Sequence, residues 1–276
     1  MISVTQGQDI RDLVFESVKG KKYTAHLLAQ SEGILSGMGW LKRACENLGI
    51  RLKRSRKDGE RIGPSEIIAV LEGHAQQMAS AEEELIGWVS KASGIATAAR
   101  TARKAAGRNL RVVSGAWKKM PLPIKDLVRQ AVTDGGIRYR IAESPFLYLD
   151  KNYVRMLGGV SKTLRSVRSL KGYTRIIQLK GEERGLPRKA VLAAQGGADI
   201  IMIDTGRKED IGRIDSILRQ RGLRDRIQIA FGGNIRIDDL RRLRGMPVEI
   251  VDIGQAIVDA PLLDLRLDIV KETQAR

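Results

Sequence analysis

Cysteine is almost missing from this chain. Cys45 is the only one in 276 residues, so no internal disulfide can form and a cysteine-built zinc site is excluded. Two histidines, His26 and His74, are too few for a His-rich metal centre. Aromatic residues make up 4%, which leaves few platforms for stacking single-stranded nucleic acid. No apolar run approaches the ~20 residues that a membrane-spanning helix needs. The first residues, MISVTQGQDIRDLVFES, have no charged start followed by a long apolar stretch, which argues against a secretory leader. A cytoplasmic protein without a membrane segment is therefore expected.

What the chain has in excess is positive charge. Lys and Arg number 49 against 32 Asp and Glu, a formal net charge of +17, which favours anionic partners: nucleic acid, an acidic surface or a phosphorylated small molecule. The runs Arg51 to Lys57 and Arg236 to Arg244 are dense in cations. Two readings stand, a nucleic-acid surface or a solvated basic face. The cations are spread along the chain and no nucleic-acid motif accompanies them, so the second is the expectation. With 42% apolar residues the chain can bury a sizeable core, and its length suits roughly two domains.

Residues 1–106 read as an α+β domain. Tyr23 to Gln30 reads as a strand, and Leu35, Met38, Leu41, Ala44, Cys45 and Leu48 fall at helical spacing. Cys45 lies on that apolar face and is expected to be a small buried hydrophobe. Ile50 to Leu52 and Ser65 to Leu71 read as strands, separated by the turn pairs Asp58-Gly59 and Gly63-Pro64. Gln77 to Ala106 reads as a long helix interrupted at Ser93-Gly94.

Residues 107–276 change rhythm to strand, loop, helix. Strand-length apolar runs are Arg111 to Val113, Phe146 to Leu149, Arg175 to Leu179, Asp199 to Ile203, Arg226 to Ala230 and Glu249 to Ile253. Helical segments such as Ile211 to Arg219 lie between them, which implies a parallel sheet with helices outside. The length falls short of the ~250 residues of eight βα units. The expected fold is an open, incomplete α/β barrel of about six parallel strands.

In such folds ligands bind at the carboxyl ends of the strands. Asp204-Thr205-Gly206, Gly232-Gly233-Asn234 and Gly254-Gln255-Ala256 each follow an apolar run there. Glycine lets backbone N–H groups come close to an anion; the plainer reading is that these glycines only end strands. Asp204 facing a phosphate implies a bridging Mg²⁺, or else it caps a helix. Lys118, Lys119, Arg138 and Arg140 follow the first barrel strand and could clamp a polyphosphate. Gln178 and Lys180 end the strand from Arg175. Trp117 and Tyr139 suit stacking on a ring and packing equally well.

These pieces, in this order, resemble the quinolinate phosphoribosyltransferase family. In the first domain the resemblance rests on Ala29 to Gly37, Asp58 to Gly63, Leu71 to Ala75 and Ser93 to Ala98. In the barrel it rests on Gly197 to Asp204, Gly232-Gly233, Val251 to Ala256 and Leu263 to Leu265. It implies a homodimer that transfers ribose 5-phosphate from phosphoribosyl pyrophosphate to quinolinate, with Mg²⁺, releasing pyrophosphate and CO₂. It also implies that Lys118, Lys119 and Arg140 hold substrate anions, that Asp204 stands near the ribose and metal, and that Gly232, Gly233 and Gly254 form the 5-phosphate loops.

The departures gather on the half that grips the pyridine ring. Glu83 stands where the family has a substrate-carboxylate arginine, and Tyr139 replaces the histidine of a histidine-arginine pair. The threonine-arginine-lysine-threonine motif reads Trp117-Lys118-Lys119-Met120. The lysine-aspartate-asparagine-histidine motif reads Asp150-Lys151-Asn152-Tyr153, and Gln178 replaces a glutamate. The resemblance thus implies a phosphoribosyltransferase acting on quinolinate or, more in keeping with the rebuilt half, on a related ring acceptor. The alternative is a non-catalytic nucleotide- or nucleic-acid-binding paralogue.

Overall fold

The computed structural model describes residues 9–180 and 185–273; residues 1–8, on which the reading against a secretory leader partly rests, lie outside them. The chain divides into two compact units, residues 1–97 with 126–135 and 260–276, and residues 98–125 with 136–259.

The first unit opens with α1 (Ile10–Val14), β1 (Lys22–Ala29), β2 (Gly33–Ile34), α2 (Met38–Asn47), β3 (Arg51–Ser55), β4 (Arg61–Ile62), β5 (Ile67–His74) and α3 (Ala75–Ala106). β1 and β5 are rich in β-branched and aliphatic residues whose alternate side chains enter one core. Ala25, Leu27, Ala29, Ala69 and Leu71 meet Leu41 and Cys45 of α2 and Met78, Ala81, Leu85 and Val89 of α3. The three-to-four spacing on α3 keeps that face continuous. Burial pushes the Cys45 thiol up to about 11, so it behaves as the buried hydrophobe expected of it.

α3 runs unbroken from 75 to 106, so the expected interruption at Ser93-Gly94 does not occur. Gly94 is there because a Cβ would collide with the Pro261 carbonyl oxygen. Ser93 stays in the helix with its hydroxyl shared with the backbone of Ser36.

The basic run from Arg51 lies on the edge strand β3 and the loop after it. Lys53 and Arg51 pair with Glu72 at 2.8 and 3.8 Å, and Arg56 with Glu66 at 3.2 Å. Three of its five cations thus meet carboxylates of their own chain, which accords with a solvated face.

The second unit holds β6 (Arg111–Val113), and α4 (Lys125–Asp134) follows in sequence but groups with the first. Then come β7 (Phe146–Leu149), α5 (Lys151–Met156), α6 (Val160–Ser166), β8 (Thr174–Lys180), α7 (Leu186–Gln195), β9 (Ile200–Asp204), α8 (Glu209–Gln220), β10 (Gln228–Gly232), α9 (Leu240–Leu243), β11 (Ile250–Asp252) and α10 (Gln255–Val258). The six strands form one parallel sheet in the order β6-β11-β10-β9-β8-β7. β6 and β7 remain its edges, so the barrel is open, as expected. Beyond β6 the chain at Arg138 makes an isolated parallel bridge to Val113.

The last strand, β12 (Leu265–Thr273), leaves this sheet and pairs antiparallel with β1, in a four-stranded order β12-β1-β5-β3. The sequence reading carries the barrel domain to 276, whereas the chain from Ala260 onward groups with the first unit. The cause is local: Leu263 N–H donates to the Ser90 carbonyl at 3.0 Å, and the chain then enters register at Leu265 opposite Ala29.

Candidate active site

Strand alternation builds the site. In the parallel register Ile176 pairs with Ile200, Gln178 with Met202, and Lys180 with Asp204, while Gly232 also pairs with Asp204. Ala230 pairs with Ile250 on the same face, so Asp252 lies two residues further, beside Gly232. Because side chains alternate with period two, Ile176, Ile200, Met202, Ala230 and Ile250 fill one apolar interior with Val113 and Ile141. Above it, at the carboxyl ends, Lys180, Asp204, Gly232 and Asp252 make a polar rung. That rung floors a cavity of about 1210 Å³.

Lys118, Lys119, Tyr139, Arg140, Lys151, Gln178, Asp204, Gly232, Gly233 and Gly254 all line this cavity. Trp117 and Lys180 line it as well. Six cations face it, Lys118, Lys119, Arg140, Lys151, Lys180 and Arg236, against three carboxylates, Asp150, Asp204 and Asp252. The hollow therefore favours a polyanion.

Two predicted residues stand elsewhere. Arg138 does not line the cavity: its backbone bonds to β6 and its guanidinium meets Glu143 at 3.0 Å. Past the isolated bridge at Arg138 the chain bends, and Tyr139 and Arg140 line the hollow where Arg138 does not. Glu83 lies on α3 in the first unit, where its exposed carboxylate accepts from Arg11 at 2.6 Å; it is not a lining residue.

The aromatic residues form a definite wall. Trp117 Nε1 donates to the Tyr139 carbonyl at 2.7 Å, and the two rings meet edge-on with centroids 6.2 Å apart. Arg140 lies 5.3 Å from the Tyr139 ring centroid, and Lys118 Nζ lies 4.5 Å above the Tyr148 ring. Such cation–π contacts hold long side chains in place at small energetic cost.

Asp204 receives a hydrogen bond from Gln178 Nε2 at 2.8 Å. Asp252 is deeply buried and accepts from Gly115 N–H at 3.0 Å. Burial raises its pKa, the Gly115 N–H and Lys118 oppose the rise, and the Asp204 charge adds to it. Tyr148 is driven up by burial and by Asp252, Asp204 and Asp150, so its phenol stays protonated at neutral pH.

The glycines divide. Gly233 has φ +102 and a Cβ on it would lie 2.6 Å from Gly206 N, so glycine is required there by the loops themselves. Gly254 has φ −92 and a Cβ would find only Ala116 Cβ at 3.6 Å, an ordinary contact. Space around position 254 would admit a Cβ, and the residue lines the cavity.

Sequence reasoning passed over Asp252 and Tyr148 as site residues. The signal was present: each shares its strand face with a neighbouring inward residue, and Asp252 precedes Gly254 much as Asp204 precedes Gly206. Among the described residues no group of three or more His, Cys, Asp or Glu could hold a metal by itself, and no helix is long and apolar enough to cross a membrane.

With this geometry the comparisons agree. Residues 12–93 match the model of the quinolinate phosphoribosyl transferase N-terminal domain, and residues 95–268 that of its C-terminal domain. A probable carboxylating nicotinate-nucleotide pyrophosphorylase of Archaeoglobus fulgidus is 29% identical over 257 residues, covering 92% of this chain and 97% of that protein. The human carboxylating nicotinate-nucleotide pyrophosphorylase is 24% identical over 247 residues, covering 89% and 82%. The crystal structure of nicotinate-nucleotide pyrophosphorylase from Pyrococcus furiosus shares the fold, with a TM-score of 0.81 at 21% identity over 99% of this chain and 78% of that one. The chain, matched by both domain models over almost its whole length, belongs to the quinolinate phosphoribosyltransferase family.

Proposed function

We propose that this chain is a phosphoribosyltransferase of the nicotinate-nucleotide pyrophosphorylase type. It would move ribose 5-phosphate from phosphoribosyl pyrophosphate to the nitrogen of an aromatic ring. The observation that carries the reading is the convergence of six cations, two inward carboxylates at strand ends and the late glycine loops on one cavity. In the transfer the ring nitrogen forms a bond to the ribose anomeric carbon while the bond to pyrophosphate breaks, and pyrophosphate leaves with the electron pair. Positive charge grows on the ribose in between. Asp204 would steady that charge, and Lys118, Lys119 and Arg140 would hold the departing anion, an electrostatic form of catalysis. The loops at Gly233 and Gly254, which line the cavity, would take the 5-phosphate.

Mg²⁺ is part of the proposal. Two carboxylates on one rung without a full protein cage suit an ion that takes one or two carboxylates and completes its shell with substrate oxygens and water. Asp204 would hold it, with Asp252 adjacent. The ion would neutralise phosphate charge when bound.

The acceptor is quinolinate or a related ring, and the lining favours the related ring. The wall offers Trp117, Tyr139 and Tyr148, and Lys118 and Arg140 already rest on its rings. Purified protein with phosphoribosyl pyrophosphate, Mg²⁺ and quinolinate, assayed for pyrophosphate, tests the reaction; mono-carboxylate pyridines and other nitrogen heterocycles test the acceptor. Donor-dependent pyrophosphate release with any ring is the expected result. Failure with every ring, together with no donor binding by calorimetry, overturns the reading. A homodimer or higher homo-oligomer and a cytoplasmic location are part of the proposal and are tested by light scattering and cell fractionation.

A further inference from the structure

Gln178 stands at the join of three elements. Its strand β8 lies between β7 and β9, and its side chain reaches diagonally up one rung. Nε2 donates to Asp204 Oδ2 at 2.8 Å, and Oε1 accepts from Lys151 N–H, at the start of α5, at 3.1 Å. The two bonds fix which end of the amide faces which neighbour: a carboxylate only accepts and a backbone N–H only donates. A glutamate of the same length could satisfy Lys151 N–H but would set a second negative oxygen against Asp204. An apolar residue would satisfy neither.

Asp204 has no other side-chain donor on it among the described residues. One oxygen is therefore pinned and the other is free to face the cavity. Lys180 shares the rung, Asp150 is engaged in capping α5 through Asn152 and Tyr153 N–H, and Asp252 is engaged by Gly115 N–H.

We propose that Gln178 is a positioning residue that locks the Asp204 carboxylate in one orientation and couples it to the start of α5. The proposal rests on the transferase reading for its catalytic consequence and on the two hydrogen bonds for its structural one. A reacting group displaced by about 1 Å costs on the order of 10² in rate.

Gln178→Met and Gln178→Glu, both close in volume, test it. In each, kcat is expected to fall at least about 30-fold, while the Kd for phosphoribosyl pyrophosphate with Mg²⁺ moves less than about fivefold and the melting temperature stays near that of the parent. Both variants within twofold of the parent in kcat overturn the proposal. The lock is also read without turnover: hydrogen exchange of the Gln178 side-chain amide, followed by NMR, should be slower in the parent than in Asp204→Ala. Equal exchange overturns the proposal even if transfer is observed, and slower exchange upholds the lock even if transfer is absent.

Discussion

Asp215 and Arg224 show how single residues hold the far side of the second unit. Arg224 is nearly buried, with Nε on Asp215 at 2.7 Å and NH1 on the Ile227 carbonyl at 2.6 Å; Glu249 accepts from NH2 and receives Ile229 N–H at 2.7 Å. Burial raises the Asp215 carboxyl, but hydrogen bonds from Arg219 and Arg224 outweigh it and leave the group below its ordinary range. Its contribution to stability is thus present above the unfolded value and lost as pH falls through the folded one. Asp215→Asn should cost roughly 2–4 kcal/mol at pH 7 by urea unfolding, since Arg224 loses a buried partner. The difference should narrow below about pH 4. At the other end of the strands, Asp204→Ala should lower turnover by at least about 10² with little change in melting temperature, read by pyrophosphate release and calorimetry. The place of Asp204 on the cavity was legible because it ends an apolar run two residues before a glycine. Arg138 lies off the cavity because the chain bends after its bridge to Val113, and a spacing of two residues carries no sign of such a bend.

Among the elements, α3 carries the sharpest test of close packing. Alanine is favoured over glycine inside a helix by about 1 kcal/mol, yet a Cβ at 94 meets the Pro261 carbonyl. Gly94→Ala should therefore destabilise the protein, by about 2 kcal/mol or more, and a thermal melt reads the sign directly. The helix was legible from Met78, Ala81, Leu85 and Val89, and its continuity was not, because a glycine in a helical pattern reads the same whether it breaks the helix or admits a neighbour. The six barrel strands were legible because parallel strands buried on both faces are short aliphatic runs. β12 escaped because its alternation, Leu265, Leu267, Ile269, follows a stretch that was read as the barrel's end, and its partner β1 lies more than 230 residues earlier in sequence.

For the molecule as a whole, two-part organisation was legible from the change in rhythm near residue 107, but the return of the last residues to the first sheet was not, since pairing over that distance leaves no local trace. Removing residues 260–276 strips β1 of eight paired residues and bares the strand edge. Such a truncation should be largely insoluble on expression, and any soluble fraction should lose the strand signal of the first unit by circular dichroism. The +17 charge acts at this scale too. Binding of the polyanionic donor should weaken as salt rises from about 50 to 200 mM, measured by calorimetry, because the cavity adds its own six cations to the field of the chain.

The pairing of β12 with β1 bears on how the protein is made. Translation delivers β1 before the barrel strands and its partner only after them, so the first sheet cannot gain that edge while the ribosome is still extending the barrel. The second unit's strands, all emerging earlier than β12, can associate during synthesis, whereas the amino-terminal portion must wait, with a strand border open, until β12 has followed them out.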